Sequence, residues 1–230
     1  MGILRAATPD DAADGGGLLL SSVGEFGNKM FGAGNAFRAQ ANLARLFAYP
    51  DGRFSYRLST LYEEEGQVAG LLLCFPGAAL ETLSAPMLRQ FRQIYPVREM
   101  LRMLWLGWPL AFTGKEADSD EFYIAHLAVS LNFRRRGIGQ VLLDHAEVLA
   151  RKAGLRRCSL NVDLDNGSAR RLYERQGYSV VSTRKLSPGL ARKVGTPGQE
   201  RRVKILPPLA AAAPAEPSLA PSPEAGESQN

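Results

Sequence analysis

The sequence predicts an α/β (α+β) fold, and two observations lead to that prediction. Residues 122–186 alternate strand-like and helix-like runs in the order β-α-β-α-β, with glycines and capping residues between them. Ahead of them, residues 54–63 and 67–75 have the composition of two strands joined as a hairpin by Glu64-Glu65-Gly66. Because such elements bury their apolar faces against each other, we expect neighbouring strands with helices packed over them.

The first part of the chain predicts one strand and one clear helix before the hairpin. Residues 3–7 are typical of a short strand, and Thr8-Pro9-Asp10-Asp11 is a helix-start signal. The glycines at 15–17 argue against a long helix at that point, whereas residues 36–47 predict one. The run 67–75 is apolar nearly throughout, as expected of a central strand.

Residues 76–118 have the least regular pattern. Apolar side chains recur at helical spacing in residues 86–93 and 97–105, which predicts two helices. Such a stripe is typical of a core, but it also fits the wall of a substrate cleft or a dimer face. We expect 76–118 to be a variable helical segment that walls the substrate site, and a homodimer face is the alternative.

The second half of the chain gives the clearest pattern. It predicts strand 122–130, helix 138–153, strand 158–163, helix 167–176 and strand 178–186. Gly154 follows the first of these helices as its terminator, and Asp165-Asn166-Gly167-Ser168 supplies cap residues for the second. Residues 207–230 are rich in Pro, Ala, Ser and Glu without an aromatic residue, which predicts a disordered tail.

Composition and charge narrow the classes of partner. The net charge of +5 comes largely from scattered arginines, which indicates solubility plus a phosphate site. Aromatic residues are not interleaved with the basic clusters, so we expect no nucleic-acid partner. The two histidines and two cysteines lack ligand spacing, so we expect no metal. The chain starts without a secretory leader and its longest apolar region, 100–112, is too short to span a bilayer. We therefore expect a cytoplasmic protein without membrane contact.

The stretch Arg134-Arg135-Arg136-Gly137-Ile138-Gly139 is the most informative feature, since it joins a predicted strand to a predicted helix. A glycine-containing turn that opens a helix leaves the first backbone N–H groups without intrahelical partners, at the positive end of the helix dipole. Arginines beside such a turn make a site for a phosphate or pyrophosphate. A solvated basic loop is the alternative interpretation.

Two motifs in order resemble the core of the GNAT superfamily of acyl-CoA-dependent N-acyltransferases. The run 134–139 matches the family's pattern of Arg or Gln, two variable residues, Gly, one variable residue, then Gly or Ala. About thirty residues later the chain has the family's second motif: Asn166, Ala169, Leu172-Tyr173-Glu174 and Gly177-Tyr178. The resemblance implies a GNAT-like domain over 1–206, with a mixed, mostly antiparallel sheet flanked by helices and splayed central strands. It also implies acetyl-CoA as co-substrate.

The resemblance assigns roles to particular residues. The backbone from Arg135 to Gln140 would hold the pyrophosphate, and the backbone of Leu127 to Val129 would pair with the pantetheine arm. The N–H of Val129 would polarise the thioester carbonyl. Asn166 would bond the arm, or serve only as a helix N-cap. Tyr173 would donate a proton to the departing thiolate, or be a core tyrosine. The implied cofactor contacts are Leu127, Ala128, Val129, Arg134, Arg135, Arg136, Gly137, Ile138, Gly139, Gln140, Asn166 and Tyr173.

The general base is the role that the sequence leaves open. Relatives place a Glu near the positions of Tyr123 and Ala125, or at that of Asn161, and none of these is a carboxylate here. Nearby candidates are Glu121, His126 and Asp163, and we take Glu121 as the first to test. Strand alternation places His126 on the opposite face from Ala125 and Leu127. Proton loss through ordered water, or binding of an already neutral amine, is the alternative.

The sequence thus predicts an N-acetyltransferase that moves an acetyl group from acetyl-CoA to a primary amine by direct attack. The acceptor is either a small-molecule amine or a protein amine, and its identity is not encoded in any motif that we identify. A catalytically silent acyl-CoA-binding sensor or scaffold is the alternative function.

Overall fold

The computed structural model describes residues 2–111 and 115–208, whose strands form one seven-stranded sheet. The strands are β1 Ile3–Ala6, β2 Ser59–Glu64, β3 Gln67–Pro76, β4 Glu121–Val129, β5 Arg157–Asp163, β6 Ser179–Lys185 and β7 Gly198–Ile205. Their order is β1-β2-β3-β4-β5-β7-β6, and every neighbouring pair is antiparallel except β4 with β5. The predicted mixed, mostly antiparallel sheet is therefore confirmed.

Helices cover both faces of this sheet. They are α1 Ala12–Gly32, α2 Ala36–Phe47, α3 Leu80–Ser84, α4 Met87–Ile94, α5 Val97–Ala111, α6 Ile138–Lys152, α7 Gly167–Arg175 and α8 Pro188–Val194. Leu71 and Leu73 pack with α1 and α2, whereas Leu72 and Cys74 pack with α6 on the opposite face. Both faces of β3 are thus buried, which explains why its sequence is apolar throughout.

The two central strands separate along their length. β4 and β5 pair only from Glu121 with Arg157 to Ile124 with Leu160, although both strands continue further. On the other side of β4, His126 pairs with Leu73 and Ile124 pairs with Cys74, so Ala125 is an extra, bulged residue. A bulge bends its strand, and this one lies where β4 leaves β5. The predicted splay of the central strands is confirmed.

Two predictions for the first part of the chain need correction. The predicted strand 54–63 begins only at Ser59, because Tyr56–Leu58 forms a 3₁₀ turn that the Ser55 side chain caps. α1 runs through the glycines at 15–17 as a long helix, with a kink at Gly24. At Gly16 a Cβ would lie 2.6 Å from the Ala44 nitrogen, so these glycines permit close packing of α1 on α2.

The sequence did not predict β7, and this changes the topology of the second half. The sequence predicts that β5 and β6, which precede and follow α7, are neighbours in the sheet. In the structure β7 lies between them. Its sequence is strongly charged, yet it is an interior strand of the sheet, paired on both sides. The charges are neutralised locally: Glu200 bonds Arg170 and Arg202, and Lys204 bonds Glu147. A pattern of alternating apolar residues is therefore absent from a buried strand.

The segment 76–118 contains α3, α4 and α5, so the predicted helices are confirmed. Met103 and Leu106 of α5 are buried, while Leu101, Leu104 and Trp105 are exposed. A role of this segment as cleft wall or dimer face stays a prediction. None of the described helices is long and apolar enough to cross a membrane. The disorder predicted for 207–230 falls outside the described residues except 207 and 208, which are in neither helix nor strand.

Gly70 of β3 lets α6 lie close to the sheet, and we predict that Gly70→Val is destabilising. A Cβ there would lie 3.0 Å from Leu142 Cδ1 and 3.1 Å from Ile138 Cγ2, which are core atoms of α6. Overpacking should lower the free energy of unfolding by about 1–3 kcal/mol, measured by urea denaturation. Gly189→Val in α8 is the control, because a Cβ at Gly189 meets nothing within 4 Å. Equal stability of the two variants would contradict the close packing.

Candidate active site

The turn that opens α6 presents a row of backbone N–H groups without partners. Arg135 and Gly137 have left-handed backbone conformations, with φ of 63° and 82°. In the part of the chain that the structure describes, no group accepts a hydrogen bond from the N–H of residues 135–139; the first such bond comes from Gln140 to Gly137. Alternating left-handed residues direct successive N–H groups into a concave site for an anion. The first turn of α6 adds the positive end of its dipole.

The three arginines of the turn point to different surroundings. Arg134 Nε donates to the Val129 carbonyl oxygen at 3.3 Å, which brings its guanidinium to the end of β4. Arg136 stacks on the Phe133 ring at 5.0 Å and lies 3.6 Å from Glu64. The side chain of Arg135 is exposed and, among the described residues, has no ion-pair partner. Arg134 and Arg135, which have no ion-pair partner among the described residues, are therefore able to face an added anion.

The end of β4 has an open edge directed at the splay. The N–H of Ser130 donates to the Ala69 oxygen at 2.9 Å, toward β3. Because N–H directions alternate along a strand, those of Val129 and Leu127 point to the other side. β5 has already separated from β4 at this level, so these two groups face the gap.

Gly139 brings the turn, the end of β4 and α7 into contact. A Cβ at this position would lie 3.0 Å from Leu172 Cδ2 and 3.9 Å from Val129 Cγ2. The absence of a side chain lets the start of α6 approach α7 closely, and it lies at ordinary contact distance from the end of β4. The end of β4, the turn and α7, which carry the predicted cofactor residues, therefore lie next to one another.

Tyr173 lies on α7 with its ring in the apolar cluster against which Leu127 and Val129 also pack. Only 7% of the residue is exposed, and its hydroxyl has no hydrogen-bond partner among the residues described. Burial raises the pKa of Tyr173 to about 12, an effect that the nearby Arg202 guanidinium partly offsets. At neutral pH this hydroxyl therefore carries its proton.

Asn166 is the N-cap of α7. Its Oδ1 accepts from the Ala169 N–H at 3.2 Å and from the Ser168 hydroxyl at 3.1 Å. Of the two roles predicted for Asn166, these contacts show that of the N-cap. Its Nδ2 is exposed and remains available as a donor.

Glu121 is at the paired end of β4, away from the gap. It is fully buried; its Oε2 accepts from Arg201 Nη2 at 2.5 Å and from the Asp118 N–H at 3.0 Å. Arg157 Nη2 lies 3.0 Å from Oε1 as an ionic contact. A carboxylate buried between two guanidinium groups has no access to an amine, so this environment suits a structural ion pair.

The other two candidate bases lie on the face of the sheet that α1 covers. The bulge at Ala125 puts His126 on the same face as Ala125, which corrects the simple alternation expected. His126 Nδ1 is 2.9 Å from Ser22 Oγ, and its ring stacks on Phe54. Burial lowers the pKa of His126 to about 3, so the ring is neutral. Burial raises the pKa of Asp163, which bonds Gln199.

A charged groove of about 210 Å³ lies on this same face, beside β5. Its walls include Glu116, Asp118, Asn161, Arg184, Gln199 and Arg201. Sequence reasoning missed Arg184 and Arg201, because a site shared by β6 and β7 is invisible until β7 is recognised as a strand. Across the described chain, no group of three or more His, Cys, Asp or Glu side chains is placed to hold a metal.

Comparison with known proteins assigns the family. The profile of the acetyltransferase (GNAT) family matches residues 36–178, more than half of the chain. The chain belongs to the GNAT family. The match extends from α2 to the residue before β6 and so includes the turn, the splay and Tyr173.

Relatives of known name resemble only part of this GNAT protein. It is 45% identical over 59 residues to GCN5-related N-acetyltransferase 4, chloroplastic, of Arabidopsis thaliana, covering 26% of this chain and 20% of that one. It is 36% identical over 83 residues to mycothiol acetyltransferase of Beutenbergia cavernae, covering 36% and 25%. The matched region is thus a quarter or less of either relative.

Solved structures support the same fold over a larger share. An N-acetyltransferase from Staphylococcus aureus Mu50 has a TM-score of 0.66 at 21% identity, covering 88% of this chain and 100% of that one. A polyamine N acetyltransferase of Drosophila melanogaster has a TM-score of 0.59 at 14% identity, covering 90% and 100%. At these identities the likeness concerns the fold.

Glu121→Gln separates a structural from a catalytic role for that carboxylate. We predict a loss of about 3 kcal/mol in the free energy of unfolding, because Arg201 and Arg157 lose their buried counter-charge. Urea denaturation checks this, with the exposed Glu81→Gln as control, which should change stability by less than about 0.5 kcal/mol. A variant that keeps its stability but loses acetyl transfer would identify Glu121 as the base instead.

Proposed function

We propose that this GNAT protein is an N-acetyltransferase that moves an acetyl group from acetyl-CoA to a primary amine. The observation that carries the proposal is the conjunction of unpartnered N–H groups at residues 135–139 with the open edge of β4. The two features adjoin through Gly139. An anion site beside a free strand edge fits a ligand with a diphosphate and an extended amide-containing arm.

The residues present fit coenzyme A part by part. The N–H groups of the turn, together with Arg134 and Arg135, match a pyrophosphate. Leu127 and Val129 offer backbone groups to an arm that adds to β4 as an extra strand in the gap. Asn166 Nδ2 lies at the start of α7 as a further donor. The bound group supplies an acetyl thioester.

Val129 and Tyr173 have complementary parts in the transfer. The N–H of Val129 stabilises the negative charge that develops on the carbonyl oxygen when the amine nitrogen bonds the acetyl carbon. As the carbon–sulfur bond breaks, the Tyr173 hydroxyl donates its proton to the leaving sulfur, and water restores that proton. Because the pKa of Tyr173 is about 12, the donor stays protonated at every pH up to about 10.

The amine gives up its own proton to water in this proposal. Glu121 is buried in ion pairs, and His126 is enclosed by Phe54 and Ser22. Neither side chain is placed to receive a proton from an amine in the gap. An amine that must lose its proton to solvent reacts faster as pH rises, until it is largely neutral. We therefore expect the acetylation rate to increase from pH 7 toward the pKa of the acceptor.

A silent acyl-CoA sensor is the second candidate, because Asp163 is the one carboxylate among the β4 and β5 residues that border the gap. Both functions require binding of coenzyme A, but only the enzyme releases thiol in the presence of an amine. Thiol release measured with acetyl-CoA and a panel of small amines and peptides separates them. Tight cofactor binding without thiol release for any acceptor would favour the sensor.

Tyr173→Phe tests the proton donor. We predict a fall in kcat of about 10²-fold, since general acid catalysis contributes about 10²–10⁴-fold, with unchanged affinity for coenzyme A. Tyr178→Phe is the matched control: Tyr178 is also buried, its ring centre is 6.1 Å from that of Tyr173, and we expect the variant to keep normal activity. Full thiol release by Tyr173→Phe near neutral pH would contradict the assignment.

Gly137→Val tests the anion site. Both Gly137 and Gly154 have positive φ with open space at the Cβ, and they flank the two ends of α6. Each valine should strain the backbone by about 1–3 kcal/mol, but only Gly137→Val should weaken coenzyme A binding. In the wild type, coenzyme A at about 100 times its Kd should stabilise the fold by about 2.7 kcal/mol, seen as a higher Tm. Equal protection of both variants would place the diphosphate elsewhere.

A further inference from the structure

The charged groove lies on the opposite face of the sheet from Tyr173. Its residue Asn161 is the first on β5 beyond the last pair with β4, so the groove begins where the gap opens. Asn161 donates to the Tyr123 hydroxyl at 3.2 Å, and Tyr123 belongs to the cluster under α1. Tyr173 belongs to the cluster under α6. A molecule in the groove would therefore reach the gap from the side that the proposed coenzyme does not occupy.

Every carboxylate that lines the groove already has a cation. Glu116 bonds Arg53, and Asp118 bonds both Lys115 at 3.0 Å and Arg201 at 3.0 Å. The hydrogen bond from Lys115 keeps the pKa of Asp118 below its usual value, so that carboxylate is ionised and matched. These acidic groups leave no unmatched negative charge to attract a polycation.

The cation left over in the groove is Arg184 on β6. It is exposed, and no ion pair or hydrogen bond of its side chain is found within the described ranges. A guanidinium of this kind is suited to bind a carboxylate through two parallel hydrogen bonds. The charge of the groove thus selects for an anionic group at this position.

The other end of the groove offers an acceptor for an amine. Asn161 Nδ2 donates both to Tyr123 and to the Glu116 carbonyl oxygen, which leaves Oδ1 without a partner among the described residues. An N–H of a primary amine bonded to that oxygen would lie beside the opening between β4 and β5. Arg184 pairs with Gln199, and Gln199 pairs with Asp163, so β6 stands two strand spacings, about 10 Å, from β5.

We propose that the charged groove binds the acceptor of this acetyltransferase, and that this acceptor is a primary amine with a carboxylate several bonds away. This inference rests on the proposed function for the chemistry and adds the substrate class. The nitrogen near Asn161 bonds the acetyl carbon, the carbon–sulfur bond breaks, and the sulfur takes the proton of Tyr173 while the amine proton goes to water. The carboxylate stays bound to Arg184 and is unchanged. The volume of about 210 Å³, below the roughly 300 Å³ of pockets for drug-sized ligands, suits a molecule of amino-acid size.

Binding of matched amines tests the substrate class without requiring turnover. Three ω-amino carboxylates, lysine, ornithine and 6-aminohexanoate, are titrated calorimetrically into the full chain saturated with coenzyme A. The decarboxylated partners cadaverine, putrescine and pentylamine are titrated in the same way. We expect at least one carboxylate to bind ten times or more tighter than its partner. Arg184→Gln should remove that difference, while Arg92→Gln, which removes an exposed arginine on α4, should keep it.

The outcomes separate this inference from the proposed function. Arg184-dependent selectivity without thiol release from acetyl-CoA would support the groove as an anion-selective amine site and overturn the acetyltransferase proposal. Equal affinity of carboxylates and decarboxylated partners, selectivity that survives in Arg184→Gln, or no binding of any of the three carboxylates would each overturn the groove assignment. Thiol release with cadaverine or putrescine alone would overturn it while leaving the acetyltransferase proposal standing.

Discussion

Within residues 2–111 and 115–208, no strand pairs with β4 beyond Ile124 on the side that faces β5, although both strands extend for several more residues. Backbone N–H and C=O groups in the middle of a protein are normally paired, because leaving them without partners costs free energy. The bulge at Ala125 bends β4 at this point and keeps the edge open. The fold therefore leaves the N–H groups of Leu127 and Val129 facing a gap in the centre of the sheet, and an extended ligand is the partner that we propose for them.

Ion pairs close the other end of the same two strands. Glu121 joins Arg157 of β5 and Arg201 of β7 at the level where β4 and β5 still pair. A buried network of this kind constrains geometry more than it adds stability, since desolvation offsets much of its attraction. The strands are held together at one end and diverge at the other. On the face that α6 covers, Gly70 lets α6 approach the sheet and Gly139 lets it approach α7, which brings the N–H groups of its turn to the open end.

Sequence reasoning identified what local patterns encode and missed what long-range pairing decides. The run 134–139 and the N-cap at Asn166 are local signals, and each lies where expected. β7 escaped recognition because its charges are satisfied by α6 and α7, which no local pattern reveals. The bulge at Ala125 reversed the expected orientation of His126 for the same reason. The ion pairs of Glu121 join residues 80 and 36 positions away, so its burial was not foreseeable.

The two sides of the gap consequently differ in the kind of group that forms each site, backbone on one side and side chains on the other. On the α6 side, the site is built largely from backbone groups, whose positions depend on the fold and on a few glycines. On the other side, the groove is built from side chains of β5, β6, β7 and residues 115–118. Backbone sites tolerate sequence change, whereas a groove of charged side chains changes its preference with single substitutions. Selectivity of the proposed acceptor groove should therefore reside in the balance of charge around Arg184, because the carboxylates beside it are already neutralised by Lys115, Arg53 and Arg201.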